Sequence, residues 1–153
     1  MFETIKDWLL SQSIDFREVH HEPTRTSRES AEARGEDIST GGKALVLKAG
    51  DVFTLHVLSA SKKLDSKAVK KHLNAKKIRF ASQEELMELT GLPPGAVPPF
   101  GRPILDIDLF VDTSVQQNSR IAFNAGSLTD SIVLKTEDYF EIANAEIYTF
   151  STD

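Results

Sequence analysis

Cysteine is absent from the 153 residues. Disulfides, thiolate zinc sites and a cysteine nucleophile are therefore excluded. No apolar run approaches the roughly 20 residues that a membrane-spanning helix requires. Glu3, Lys6 and Asp7 interrupt the start of the chain, so it does not read as a signal peptide. There is no GxxxxGK[ST] phosphate loop and no HExxH metal motif. The four histidines (His20, His21, His56, His72) show no metal-ligand spacing. His20 and His21, being adjacent, point to opposite faces of an extended chain and suit structural roles. Ser59 and Ser61 have no arrangement of a catalytic triad about them. These absences predict a soluble cytoplasmic protein with no metal, no cofactor and no membrane partner.

What is present is a globular composition, 40% hydrophobic and 27% charged, with a length suited to one domain spanning 1–153. The net charge of −5 argues against a general nucleic-acid binder and against DNA as a partner. Its distribution is uneven. Between Lys62 and Arg79 there are eight Lys or Arg and one acid, Asp65. That stretch is either the solvated face of an amphipathic helix or a basic patch suited to a polyanion.

Phe2, Ile5, Trp8 and Leu9 recur at helical spacing and predict a helix running to about Gln12. Residues 14–20 read as a strand that Pro23 ends. Thr26 and Glu29 form a capping-box pair that opens a short helix, and Gly35 closes it. Strands at 43–49 and 52–59 are joined by the hairpin turn Ala49-Gly50-Asp51. A helix is predicted over 65–75, and a second, capped by Ser82 and Glu85, stops at Gly91. Leu105, Ile107, Leu109 and Val111 alternate with Asp106, Asp108 and Phe110 as a strand. Strands at 120–125 and 131–135, a helix at 136–143 capped by Thr136, and a strand at 145–150 complete the chain. Frequent hairpins and irregular alternation argue against a doubly wound parallel sheet. The expected class is α/β (α+β-like): a mixed, barrel-like β-sheet with short helices packed outside.

Three segments stand out chemically. Lys43 follows Gly41 and Gly42 and opens a strand, so it is either a solvent-facing strand end or a fixed cation in a cleft. Gly126 turns between two strands, with Asn124, Ser127, Thr129 and Asp130 around it. That turn is either an ordinary hairpin loop or a cradle of N–H groups for a carbonyl or phosphate. Asp106 and Asp108 share a face of their predicted strand, as solvent-facing acids commonly do. The third segment, GLPPGAVPPFG at 91–101, holds four of the six prolines and three glycines. Fixed φ at the prolines and close backbone approach at the glycines mean that a shape is being held there.

Lys43, TGLPPGAVPPFG at 90–101, FVD at 110–112, FNAGSLTDSI at 123–132 and DY at 138–139 occur in this order. Together with TSRESAEARG at 26–35 they resemble the YbaK and prolyl-tRNA synthetase editing-domain family of free-standing aminoacyl-tRNA deacylases. The resemblance spans nearly the whole chain. It implies hydrolysis, by a water and without a metal or protein nucleophile, of the ester joining a mischarged amino acid to the 3′ end of tRNA. It assigns Lys43 to holding the substrate. It also implies pocket walls and a carbonyl cradle from Thr26, Gly91, Pro94, Gly95, Phe100, Gly101, Asn124, Ala125, Gly126 and Ser127. Lys62, Lys63, Lys67, Lys70 and Lys71 become candidates for the tRNA acceptor backbone, and an aminoacyl-tRNA synthetase becomes a candidate partner. Residues 123–131 contain no histidine, unlike some alanine-specific members, which counts against specificity for alanine; the acyl group expected is a small one such as Ser, Ala, Thr or Cys. The alternative on the same fold is a non-catalytic module that binds tRNA or an aminoacyl ligand.

Overall fold

The structure, a computed structural model, describes residues 1–24 and 26–153. Ten strands and six α-helices occur among them. The N-terminal helix α1 (Phe2–Ser11) buries Ile5 and Leu9, with Trp8 edge-on to Phe100 at 5.1 Å between ring centroids. Strand β1 (Phe16–His20) follows. Helix α2 (Ser27–Arg34) begins where the capping pair predicts, since Thr26 Oγ1 accepts from the Glu29 amide, and it ends at Gly35 in the left-handed conformation. β2 (Gly42–Ala49) and β3 (Val52–Ser59) form an antiparallel hairpin about the two-residue turn Gly50–Asp51.

The period-two alternation of these strands feeds two cores rather than one. Ala44 and Val46 of β2, with Leu55 and Val57 of β3, face the main core. Leu45, Leu47 and Leu58 face a smaller cluster that includes Val69 of helix α3 (Ser66–Leu73), Tyr148 and Phe150. Strands β4 (Lys63–Leu64) and β5 (Ile78–Phe80) flank α3. Helix α4 (Gln83–Thr90) carries the predicted capping box of Ser82 and Glu85 and terminates at Gly91, also left-handed. β6 (Asp108–Asp112), α5 (Thr113–Gln116), β7 (Arg120–Asn124), β8 (Asp130–Lys135), α6 (Thr136–Ala143), β9 (Glu146–Tyr148) and β10 (Ser151–Thr152) complete the order.

The main sheet runs β5-β2-β3-β6-β9, with antiparallel β5-β2-β3 pairs and parallel β3-β6-β9 pairs. A three-stranded antiparallel sheet runs β1-β8-β7, and β10 pairs with β4. The architecture is mixed, as the pattern predicts. The sheets do not close into a barrel; among the described residues one isolated parallel bridge, Gly41 to Ala122, links the first two.

Two local expectations are corrected. The strand predicted from Leu105 starts only at Asp108, because the backbone at 104–105 turns so that both amides donate to Gly101 O at 2.9 Å. Asp106 and Asp108 are therefore not strand neighbours; both are held by the Arg102 guanidinium. Thr136 does not cap α6. Lys135 occupies that position without a side-chain cap, because β8 runs directly into the helix, and the buried Thr136 Oγ1 has no partner among the described residues.

Candidate functional site

Within 91–101, Leu92 and residues 96–101 are buried, while Gly91, Pro93, Pro94 and Gly95 stay exposed. Phe100 is fully buried against Trp8, Phe123 and Tyr139, and Tyr139 Oη donates to Pro99 O at 2.6 Å. Leu92, Ala96 and Val97 are buried beside it. Anchored this way, the loop presents Gly95, at φ +88°, to the end of β7. Asn124 Nδ2 donates to Gly95 O at 2.8 Å and ties loop to strand.

Behind that contact lies a polar network. Arg34 is only 8% exposed, and its Nε donates to Ser131 Oγ at 2.9 Å while Nη2 donates to Asn124 Oδ1 at 3.1 Å. Ser131 Oγ also lies 3.1 Å from Asn124 Oδ1 and 2.8 Å from His21 Nε2. Helix α2, both strands and the proline loop are thereby joined through one guanidinium. Burial lowers the Arg34 pKa to about 10. Ser30 precedes Arg34 by four residues and so shares its helix face. Its Oγ lies 2.6 Å from Thr24 Oγ1.

The paired glycines before Lys43 have different reasons. A Cβ on Gly42 would lie 2.8 Å from Ile121 Cδ1, and one on Gly41 would lie 3.0 Å from Ala60 Cβ and 3.6 Å from Arg34 Nη1. Close approach there lets β2 start beside α2. Lys43 then projects half-buried, and Nζ donates to Lys62 O at 3.2 Å. Burial lowers its pKa. Neither Lys43 nor Arg34 forms an ion pair among the described residues.

These groups enclose a cavity of about 250 Å³. Of the residues the resemblance selects, Thr26, Lys43, Gly95 and Asn124 line it. The lining also includes Thr24, Ser27, Ser30, Arg34, Gly41, Gly42, Ala60 and Val97. The other selected residues lie elsewhere. Gly91 caps α4, Pro94 borders an outer groove beside Met87, and Gly101 faces a depression with Arg102 and Phe110. Phe100 and Ala125 are core. The Gly126 amide, expected to be free for a carbonyl, donates to Ala96 O at 2.9 Å, and a Cβ there would collide with Met1. Ser127 Oγ accepts from the Thr129 amide within its own turn.

Arg34, Ser30 and Thr24 escape a reading by local motif. The helical spacing of Thr26, Ser30 and Arg34 was the available signal. The residues Arg34 bonds to lie 97 and 90 positions away. The basic stretch begins at the cavity itself, through the Lys62 carbonyl. Lys62 Nζ pairs with Asp153. Lys67, Lys70 and Lys71 fall on one side of α3 by their three- and four-residue spacing, opposite buried Val69. They and Lys63 form no ion pair among the described residues. Among those residues no three His, Asp or Glu side chains gather as a metal site, and no helix is long and apolar enough to cross a membrane.

A mixed-sheet domain with a small cationic pocket walled by a proline-rich loop is the class that fold and site define. A family model described as an aminoacyl-tRNA editing domain matches residues 21–142, and the chain belongs to that family. It is 38% identical over 152 residues to the multifunctional Ser/Thr-tRNA deacylase ProXp-y of Escherichia coli, covering 93% of this chain and 88% of that protein. It is 35% identical over 101 residues to the proline–tRNA ligase of Shouchella clausii, covering 66% of this chain but 18% of the ligase. The fold superposes on the crystal structure of a candidate trans-editing enzyme for prolyl-tRNA synthetase with a TM-score of 0.86, at 21% identity and over 99% of this chain and 97% of that one.

Proposed function

We propose that the protein hydrolyses, in trans, the ester of a mischarged aminoacyl-tRNA, and that the acyl group it removes carries a small hydroxylated side chain. The observation that carries this reading is the convergence of Lys43, Arg34, Gly95 and Asn124 on one cavity of about 250 Å³, in a chain of the editing-domain family. An aminoacyl ester is already activated. A held water and stabilisation of the developing oxyanion are the main requirements.

Lys43 Nζ, with one neutral acceptor in the free protein, holds the ester or the terminal adenosine and stabilises negative charge as it forms. Attack comes from water. Of the hydroxyls lining the cavity, Thr24 bonds Ser30 and Thr26 bonds the first turn of α2. No histidine is among the described residues that line the cavity. The hydroxyl-rich lining and the relative named as a Ser/Thr-tRNA deacylase both favour serine or threonine over alanine. The tRNA acceptor backbone runs across Lys63, Lys67, Lys70 and Lys71, because Lys62 joins that segment to Lys43. An aminoacyl-tRNA synthetase is the partner that would deliver the substrate.

The test is a panel of tRNAs mischarged with Ser, Thr, Ala or Cys. The expected result is turnover of the seryl or threonyl ester above the others. An intact panel under excess protein would overturn the reading.

A further inference from the structure

We propose that the cavity is a binding site for small carboxylate anions, and that a short α-hydroxy acid occupies it more tightly than the matching amino acid or amino-acid amide. This deepens the acyl-pocket reading and takes from it only the size of the ligand.

The inference comes from the charges that line the cavity. Arg34 and Lys43 are both there, and no Asp or Glu is among the lining residues. A guanidinium as enclosed as Arg34 is ordinarily paired with a carboxylate. Here Nε and Nη2 are committed to the neutral Ser131 Oγ and Asn124 Oδ1. Nη1 makes no hydrogen bond among the described residues and lies against Gly41, two residues before Lys43. Lys43 Nζ meets one neutral carbonyl, leaving donors to spare. The acids nearby in the fold are otherwise engaged. Glu36 is clamped by Arg17 and Arg120, and Asp130 is bound by His20. Glu29 is exposed and reaches only the Thr26 hydroxyl.

Two partly desolvated cations with no ion-pair partner among the described residues favour an incoming anion and disfavour an incoming ammonium. An ester or amide gains only a hydrogen bond at its carbonyl, with no charge to pair. A zwitterion gains at its carboxylate and loses at its ammonium. A hydroxy acid gains at the carboxylate, and its α-hydroxyl replaces the ammonium with a group the Thr24 and Ser30 side chains can bond. Ester hydrolysis creates a carboxylate where the ester was and leaves the α-amino group unchanged, so the pocket retains product in preference to substrate.

The experiment titrates glycerate, serine and serinamide, which share one carbon skeleton, into the whole protein in low-chloride buffer. Calorimetry and the amide resonances of Gly41, Gly42 and Gly95 report binding. The expected order is glycerate, serine, serinamide, with glycerate at least about tenfold tighter than serinamide. Lys43→Ala and Arg34→Gln should each abolish the difference. Lys43→Ala removes a half-exposed side chain and keeps the test available if the Arg34 variant does not fold. Serinamide binding as tightly as glycerate, or no response of the glycine amides to glycerate, would overturn the proposal. No tRNA is used, so glycerate binding alongside an intact tRNA panel would sink the hydrolase reading alone. Turnover without glycerate binding would sink this one alone.

Discussion

Acidification should withdraw about 3 kcal/mol of folding stability through His56 alone, as follows from its surroundings and the cost of about 1.4 kcal/mol per unit of pKa shift. The side chain is 0% exposed in the smaller core beneath α3. Its ring stacks on Phe110 at 4.7 Å and meets Phe150 edge-on, while Nε2 and Nδ1 face Tyr148 Oη at 2.9 Å and Thr54 Oγ1 at 3.2 Å. Burial, and secondarily the charge of His72, lower its pKa from 6.5 to about 4. The unfolded chain therefore takes up this proton near pH 6.5 and the folded chain only near 4. Between those values the unfolded state binds more protons, so the contribution is complete above 6.5 and lost as pH falls to about 4. The assay is urea denaturation of the wild type and His56→Gln at neutral pH and near pH 4. Glu36, Asp112 and Asp130 also have lowered pKa values and add to acid loss in both proteins. The variant, unable to titrate at this position, should lose about 3 kcal/mol less than the wild type across the interval. Equal losses would refute the reasoning.

Gly42→Ala should cost about 1–3 kcal/mol by overpacking, since its Cβ would meet Ile121 Cδ1 at 2.8 Å; chemical denaturation measures this, and adding Ile121→Val should restore part of the loss. Tyr139→Phe leaves the buried Pro99 carbonyl without its donor, an expected loss of about 1–3 kcal/mol, with hydrogen exchange accelerated through residues 91–101. Charge reversal at Lys70 and Lys71 should weaken tRNA binding at low salt and flatten the dependence of log affinity on log salt by roughly 1 for each phosphate no longer neutralised. An unchanged slope would return α3 to the role of a solvated helix.

Elements with local punctuation were legible in the sequence. α2 starts and stops at Thr26 and Gly35, α4 at Ser82 and Gly91, and the β2–β3 hairpin turns at Gly50. Each is set by residues within a few positions of one another. β4, β5 and β10 were missed because two or three residues cannot display a period. The alternation at 105–111 misled at its first half because hydrophobic pattern does not register a turn held by the Gly101 carbonyl. At the site, Lys43, Thr26, Gly95 and Asn124 do meet in one cavity. Gly126 and Phe100 belong instead to the support of its wall: the Gly126 amide holds Ala96, and Phe100 roots the loop in the core. Arg34 carried only the weak signal of its helical spacing from Ser30, because its significance lies in partners far along the chain. Its burial there joins the helix to the proline loop through Asn124.

Single-turnover deacylation of seryl- and threonyl-tRNA by the wild type and by Lys43→Ala tests the central claim most directly. The half-buried Lys43 side chain makes one hydrogen bond to a backbone carbonyl, so its removal should leave the fold and the thermal midpoint nearly intact while abolishing ester cleavage. Cleavage by the folded Lys43→Ala protein at the wild-type rate would contradict the account.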